Sequence, residues 1–165
     1  ASVMINRMEL LRIIQNDARL TPDNIAIMLD CDVAEVEAEL SALSNEKIIL
    51  GYSAQIDWEK MDKDNVVAMI EVRITPMRNK GFDHIADILC KNDKVTACYL
   101  MSGGFDLMLI YEDKNLRDVA SFVSDKIAPL DGVLSTTTHF ILKKYKSNGI
   151  IFEKGDTDDR QAVIL

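Results

Sequence analysis

The sequence predicts an α+β protein in which a helical N-terminal part precedes a C-terminal β-α-β-β-α-β sandwich. Up to position 45, apolar residues recur every three or four positions, which is the spacing of amphipathic helices. From position 66 onward they alternate with polar residues in short runs, which is the spacing of strands. The polar stretch 59–65 separates the two patterns. We therefore predict a first domain at residues 4–57, a linker at 58–64, a second domain at 65–146 and a C-terminal tail at 147–165.

Three helices are predicted in the first domain. The first starts near Met4 and ends near Asn16, with apolar residues at helical spacing. The second starts at Thr21-Pro22, a hydroxyl cap followed by proline at the first helical position. The third starts at Asp32, which forms a capping-box pattern with Glu35, and it ends near position 45. The short break between the last two helices is that of a helix-turn-helix.

The second domain is predicted to contain four strands and two helices. Residues 48–58, just before this domain, include β-branched and aromatic side chains around a glycine. This content predicts a wing or a linking strand. The element order predicts a four-stranded antiparallel sheet with both helices on one face. The other face stays uncovered, and its mixture of apolar and polar side chains suits a subunit interface. The predicted elements are strand 66–74, helix 82–89, strands 95–101 and 105–111, helix 116–127 and strand 134–145.

The tail combines a polar middle, 155–160, with two apolar patches, 149–152 and 162–165. Either patch would suit docking on a neighbouring subunit. A plain disordered end is the alternative that we favour, because terminal residues are poorly ordered unless something holds them.

Charge and composition exclude several classes of protein. Nineteen basic and 27 acidic residues give a net charge of −8, which argues against a generic nucleic-acid coat, since phosphate binding needs clustered Lys and Arg. Most of the net negative charge lies in residues 1–57, which carry four basic and ten acidic groups. No apolar run approaches the roughly 18 residues of a membrane span, and no basic-then-apolar leader opens the chain. We therefore expect a cytoplasmic protein with no membrane partner.

The sequence shows no catalytic constellation. Three cysteines without CxxC spacing argue against a disulfide framework and against a zinc site. His84 is expected on a helix surface and His139 within a strand, and neither has an obvious carboxylate or nucleophile partner by spacing. Nucleotide-binding and zinc-protease motifs are missing from the sequence. We therefore predict a protein that is not an enzyme and needs no cofactor or metal.

The turn Ser102-Gly103-Gly104-Phe105-Asp106 is the first local feature with binding chemistry. Its glycines permit positive φ and a close approach to main-chain groups, and Asp106 offers an anion to an ammonium group. A plain hairpin turn with a solvated aspartate is the alternative. The run Thr136-Thr137-Thr138 in the last strand offers hydroxyl groups to the same ligand, or serves only as good strand-forming residues.

Taken in order, these landmarks resemble the Lrp/AsnC family of leucine-responsive and asparagine-synthesis regulators. The resemblance covers almost the whole chain, from Met4 to about Lys146. It implies a winged helix-turn-helix, a linking strand through Gly51-Tyr52, and a ligand-sensing domain of ferredoxin-like fold. The matching residues are Asp17-x-Arg19-Leu20, Ile49-x-Gly51-Tyr52, Ser102-Gly103-x-Phe105-Asp106, and Gly132-Val133 followed by Thr136-x-Thr138.

The resemblance also implies a function. Members are cytoplasmic transcription regulators that dimerise through the sheet, usually assemble further into octamers, and bind an amino acid or a similar metabolite between dimers. The family often has an acid or another polar residue where this chain has Gly104. By position, the resemblance assigns effector binding to Ser102, Gly103, Gly104, Asp106, Leu107, Met108, Thr136 and Thr138.

The third helix departs from the family pattern of Arg and Lys on its exposed face. We predict that this face carries Ala38, Glu39, Ser41 and Ala42, with Glu35 and Glu37 beside them. Carboxylates repel a phosphate backbone. The helix N-terminus carries only about half a positive charge, which does not offset three carboxylates.

Two functions therefore stay open at this point. In the first, the protein is an amino-acid-responsive regulator that binds DNA through Arg19, Ser41, Asn45 and Lys47. In the second, it is a ligand-sensing oligomer that has lost direct DNA binding and acts through mixed assemblies. Retention of DNA at low salt distinguishes the two, because phosphate contacts are strongest there.

Overall fold

A computed structural model describes residues 4–61, 65–75 and 81–152. The chain divides into two compact units, residues 1–56 and residues 57–165, and each is treated below by itself. Within the described ranges, no helix combines the length and the apolar character that a membrane span requires.

The first unit contains the three predicted helices, α1 (Arg7–Asn16), α2 (Pro22–Leu29) and α3 (Val33–Asn45). Each begins at a polar cap. The Asn6 side chain accepts from two N–H groups of α1, so this helix starts after Met4 rather than at it. Thr21 caps α2 with its hydroxyl, and Asp32 and Glu35 form the predicted capping box of α3. The caps therefore set all three helix starts.

Each of the three helices contributes at least one side chain to the core of this unit. The fully buried side chains there are Leu10 of α1, Ile25 of α2, and Val36 and Leu43 of α3. Burial of each such side chain contributes about 1.5–3 kcal/mol. The apolar stripes seen in the sequence are thus the faces on which the helices pack.

The wing or linking strand predicted at residues 48–58 is not formed. The N–H groups of Ile48 and Ile49 both donate to the carbonyl of Leu43, at 3.0 and 3.1 Å, which keeps them at the end of α3. Residues 51–57 have no regular secondary structure, and Trp58–Met61 is a single 3₁₀ turn. A strand needs a neighbour to receive its main-chain hydrogen bonds. The described part of this single chain supplies none to residues 51–57.

The second unit has the predicted β-α-β-β-α-β order. Its antiparallel sheet has the strand order β2-β3-β1-β4, and α5 continues into one π-helical turn, Val123–Ile127. The elements are β1 (Val66–Ile74), α4 (Phe82–Cys90), β2 (Val95–Leu100), β3 (Leu107–Asp113), α5 (Leu116–Phe122) and β4 (Val133–Phe140).

The two faces of this sheet differ in composition. One face packs on α4 and α5 and forms the core, in which Ala68, Ile70, Val72 and Leu109 are fully buried. Neither α4 nor α5 packs on the opposite face, which is called the open face below. The strand registers place Val67, Met69, Glu71, Arg73, Ala97, Tyr99, Met108, Ile110, Thr137 and His139 on the open face.

The start of the tail is ordered. Strands β5 (Lys146–Ser147) and β6 (Ile150–Ile151) form a small hairpin. Its two turn residues, Asn148 and Gly149, have φ values of 51° and 79°, the positive pair that a tight hairpin turn needs. The expectation of a plain disordered end is therefore wrong for residues 147–152, and the rest of the predicted tail, 153–165, lies outside the described residues.

Candidate functional site

The turn between β2 and β3 lies at the end of the sheet where β1 finishes. Asp106 ties it there with three hydrogen bonds. Its carbonyl accepts from the N–H of Met101 at 2.8 Å, and its own N–H donates to the carbonyl of Val72 at 3.0 Å. Its carboxylate oxygen Oδ2 accepts from the N–H of Ile74 at 2.7 Å. The aspartate is therefore held in place and half-buried, unlike the solvated turn residue of the alternative interpretation.

The residues before Asp106 form an open turn. Ser102, Gly103 and Gly104 are all exposed. Gly103 has a φ of +123°, a conformation that side-chain-bearing residues rarely adopt. A Cβ atom added at either glycine would have no neighbour within 4 Å. The backbone of this turn is thus accessible to a small molecule beside the carboxylate of Asp106.

The remaining effector candidates lie on different faces of the sheet. Leu107 is almost fully buried on the helix-covered face, in one row with Val72 and Thr136. Thr138 lies on that same face, one pair further from the turn, opposite Ile70. Met108 lies on the open face. The structure therefore brings the turn and Thr136 to one end of the sheet, but it places the Met108 side chain on the other face and encloses that of Leu107 in the core.

A buried carboxylate that the sequence analysis missed lies at the other end of β3. Asp113 is 5% exposed. It accepts from the Tyr111 hydroxyl at 2.7 Å, from the Lys114 N–H at 2.8 Å and from Lys94 Nζ at 3.2 Å. Burial by itself raises the pKa of Asp113, but these hydrogen bonds outweigh it and hold the pKa below its ordinary value. Because side chains alternate along β3, positions 111 and 113 lie on the same face of the sheet. This alternation is the feature of the sequence that could have indicated the pair.

This group has the character of a structural network. The Tyr111 ring stacks on the Phe122 ring with 4.0 Å between centroids, so the network joins β3 to α5. Burial raises the pKa of the Tyr111 hydroxyl, and the neighbouring Asp113 raises it further. Tyr111 therefore acts as a neutral hydrogen-bond donor at neutral pH.

The two histidines differ in their surroundings. His84 is exposed on α4, as predicted. His139 was expected to lack a carboxylate partner, and this is wrong, because its Nε2 lies 2.6 Å from Glu71 Oε2 on the open face. In the β1–β4 ladder Glu71 pairs with Thr137. The contact between Glu71 and His139 is therefore a diagonal one between adjacent strands.

The exposed stripe of α3 is less acidic than predicted. Glu39 and Ala42 were placed on it, but both are half-buried. Glu39 binds Arg7 of α1, and Glu35 accepts from the Asp32 N–H in the capping box. Helical spacing explains the error, because positions 35, 39, 42 and 46 follow a flanking stripe at steps of three and four. The residues that α3 does expose are Ala34, Glu37, Ala38, Ser41 and Asn45.

The four residues predicted to bind DNA are all exposed in the first unit. Ser41 and Asn45 lie one helical turn apart on the stripe of α3. Arg19 precedes α2, in a turn where its N–H donates to the Asp17 carboxylate at 3.0 Å. Lys47 follows α3 and has a φ of 61°, in the left-handed region. Two cations thus flank the ends of the helix-turn-helix, while α3 itself has none.

A helix-turn-helix unit followed by a β-α-β-β-α-β sandwich defines the class of two-domain transcription regulators that pair a DNA-binding unit with a ligand-sensing one. Residues 67–151 match the model of the Lrp/AsnC ligand binding domain. YugG of Bacillus subtilis, an uncharacterized HTH-type transcriptional regulator, is 47% identical over 156 residues, which cover 94% of each protein. The chain belongs to the Lrp/AsnC family of transcriptional regulators.

Solved structures share this fold. A Neisseria meningitidis transcriptional regulator in complex with L-Met superposes with a TM-score of 0.70 at 22% identity, covering 86% of this chain and 90% of the other. A feast or famine regulatory protein from Mycobacterium tuberculosis, complexed with L-methionine, gives 0.69 at 22% identity, with 84% and 90% covered. For Escherichia coli AsnC the values are 0.68 and 17%, with 88% and 97% covered.

Proposed function

We propose that this regulator binds DNA through its first unit and that an amino acid bound beside Asp106 changes its DNA affinity. The observation that carries the effector part is the geometry of Asp106. Its Oδ2 is fixed by the Ile74 N–H, and its carboxylate receives no other side-chain or N–H donor from the described residues. A carboxylate held in this way offers a charge-assisted hydrogen bond to an ammonium group.

The turn next to Asp106 complements the other end of an amino acid. Among the described residues, the N–H groups of Gly103 and Gly104 donate to no main-chain carbonyl. Free N–H groups of this kind bind carboxylates. A zwitterion would therefore place its ammonium group on Asp106 and its carboxylate on the glycine turn. Thr136, at the same end of the sheet, adds a hydroxyl group to this site.

Two observations support direct DNA binding. Ser41 and Asn45 present groups that hydrogen-bond to base edges, and Glu37 can accept from the N4 amino group of cytosine. Arg19 and Lys47 are exposed before α2 and after α3, and exposed cations of this kind neutralise phosphates. The alternative, loss of DNA binding, depended on three carboxylates on the exposed face of α3. Since two of these are engaged elsewhere, we favour direct binding.

The direct experiment measures retention of DNA. The probe is a duplex that covers the region upstream of the protein's own gene, with a mixed-sequence duplex of equal length as competitor. At about 50 mM salt we expect specific retention, and we expect added L-methionine or another common amino acid to change the affinity. No retention of either duplex at that salt concentration would contradict DNA binding and favour action through mixed assemblies.

The open face of the sheet is the proposed dimer interface, with further assembly into an octamer as the family resemblance implies. Ile110→Glu is expected to reduce the mass of the protein in solution, because a charge at this half-buried position would be desolvated in the interface. Sedimentation velocity measures the change. The matched control is Leu116→Glu on the helix layer, where the side chain is 58% exposed. An unchanged sedimentation coefficient for Ile110→Glu would exclude this face as the interface.

A further inference from the structure

Arg7, the first residue of α1, binds two carboxylates of the α3 region at once. Its Nε contacts Glu39 Oε1, and its Nη2 lies 2.7 Å from Glu46 Oε2. Glu39 is on α3 and Glu46 is its C-terminal cap residue. Glu46 and Glu39 raise the pKa of Arg7, whose guanidinium is in any case charged in proteins.

The contact of Arg7 with Glu39 and Glu46 lowers the net negative charge next to the exposed stripe of α3. Helix α3 has no basic residue of its own, and Glu39 and Glu46 follow its flank. With Arg7 in place the three side chains sum to one negative charge, and without it they sum to two. Removing Arg7 would also free both carboxylates to rotate toward the neighbouring stripe. Each outcome increases the repulsion that a phosphate backbone experiences near α3.

A role in stability alone does not account for the arrangement. The side chains of Arg7 and Glu46 are 41% and 51% exposed, and ion pairs of this exposure contribute little to folding. A planar guanidinium that binds two carboxylates has a larger effect on the positions of those carboxylates than on stability. Its N–H donors form a rigid fork, which orients both carboxylates at once.

We propose that Arg7 is a positioning residue for DNA binding, which holds Glu39 and Glu46 against α1 so that Glu37 is the single carboxylate on the stripe with Ser41 and Asn45. This inference rests on the proposed DNA-binding function. The contact of Arg7 with the two carboxylates reduces the negative charge that an N-terminal domain with ten acidic residues presents to a polyanion beside this stripe.

The test compares three variants with the wild type by fluorescence anisotropy on the upstream duplex. Arg7→Gln is expected to bind about tenfold more weakly at 50 mM salt and about threefold more weakly at 200 mM, because losing about one phosphate-equivalent charge changes the salt slope by roughly 0.9. Arg12→Gln, an equal charge change at an exposed position of the same helix, is expected to have less than a third of that effect. Arg7→Gln/Glu39→Gln/Glu46→Gln is expected to recover the wild-type affinity to within about twofold.

The outcomes separate the two hypotheses. If the wild type binds neither duplex, the proposed function fails. If it binds and Arg7→Gln matches Arg12→Gln, the positioning role fails while DNA binding stands. A triple variant as weak as Arg7→Gln would show that Arg7 acts through packing instead. Should Arg7→Gln not fold, as judged by circular dichroism, Arg7→Lys replaces it, with an expected loss of about threefold because an ammonium group cannot fork between two carboxylates.

Discussion

Asp106→Asn is expected to weaken amino-acid binding by one to two orders of magnitude while the fold survives. The amide oxygen of asparagine can still accept from the Ile74 N–H, so the turn stays attached to β1. The negative charge is lost, and a hydrogen bond to a charged group contributes about 1.5–3 kcal/mol. Isothermal titration calorimetry with L-methionine and the other common amino acids measures the change.

Two further variants make this result specific. Asp93→Asn changes an exposed carboxylate to an amide just before β2, at the far end of the sheet from the glycine turn, and we expect unchanged binding. Asp106→Ala removes the acceptor of the Ile74 N–H as well and is expected to lose both binding and about 1–3 kcal/mol of stability. If Asp106→Asn bound every amino acid as tightly as the wild type, the effector site would lie elsewhere.

Asp113→Ala is expected to lower the free energy of unfolding by about 2–3 kcal/mol, since it leaves the buried Tyr111 hydroxyl without its acceptor. Asp113→Asn keeps the size and one acceptor and should cost about half as much. Urea denaturation at a fixed protein concentration measures both, because association adds to the apparent stability. A loss below about 0.5 kcal/mol for Asp113→Ala would contradict the assignment of this network.

The stability that Asp113 provides should depend on pH. Its pKa in the folded protein is below the ordinary value of about 3.9, so the folded state favours the ionised carboxylate. The contribution is therefore complete above about pH 4 and is lost as the pH falls through the folded-state pKa. We expect the difference in unfolding free energy between the wild type and Asp113→Asn to shrink below pH 4. A difference that stayed constant down to pH 3 would exclude the proposed cause.

Several elements could be predicted from neighbours in the chain alone. Thr21-Pro22 and the Asp32/Glu35 pair set helix starts with side chains that reach only three residues ahead. Strand β1 occupies the predicted residues because its alternation needs no knowledge of its partners. The same alternation already implied that Leu107 and Met108 lie on opposite faces, so their assignment to one effector site could have been questioned from the sequence.

The faces of α3 show where such reasoning ends. A helical period identifies stripes, but it does not say which flank an adjacent helix covers. In this protein α1 covers the flank that carries Glu39. Arg7 of α1, which lies 32 positions earlier in the sequence, binds this glutamate. The predicted strand at 48–58 failed for a related reason, since its formation depends on a partner that local composition cannot supply.

By itself, then, the sequence determined the order of α1 to α5 and β1 to β4, the helix caps and the glycine turn, because each follows from contacts within about four residues. Only the tertiary structure decided that Asp106 is held by Ile74, that Asp113 is buried and bound by Lys94, and that Glu39 of α3 binds an arginine of α1. The pairings of Asp106 with Ile74, Asp113 with Lys94 and Glu39 with Arg7 join groups 32, 19 and 32 positions apart in sequence, and packing of the folded chain is what brings them within hydrogen-bond distance.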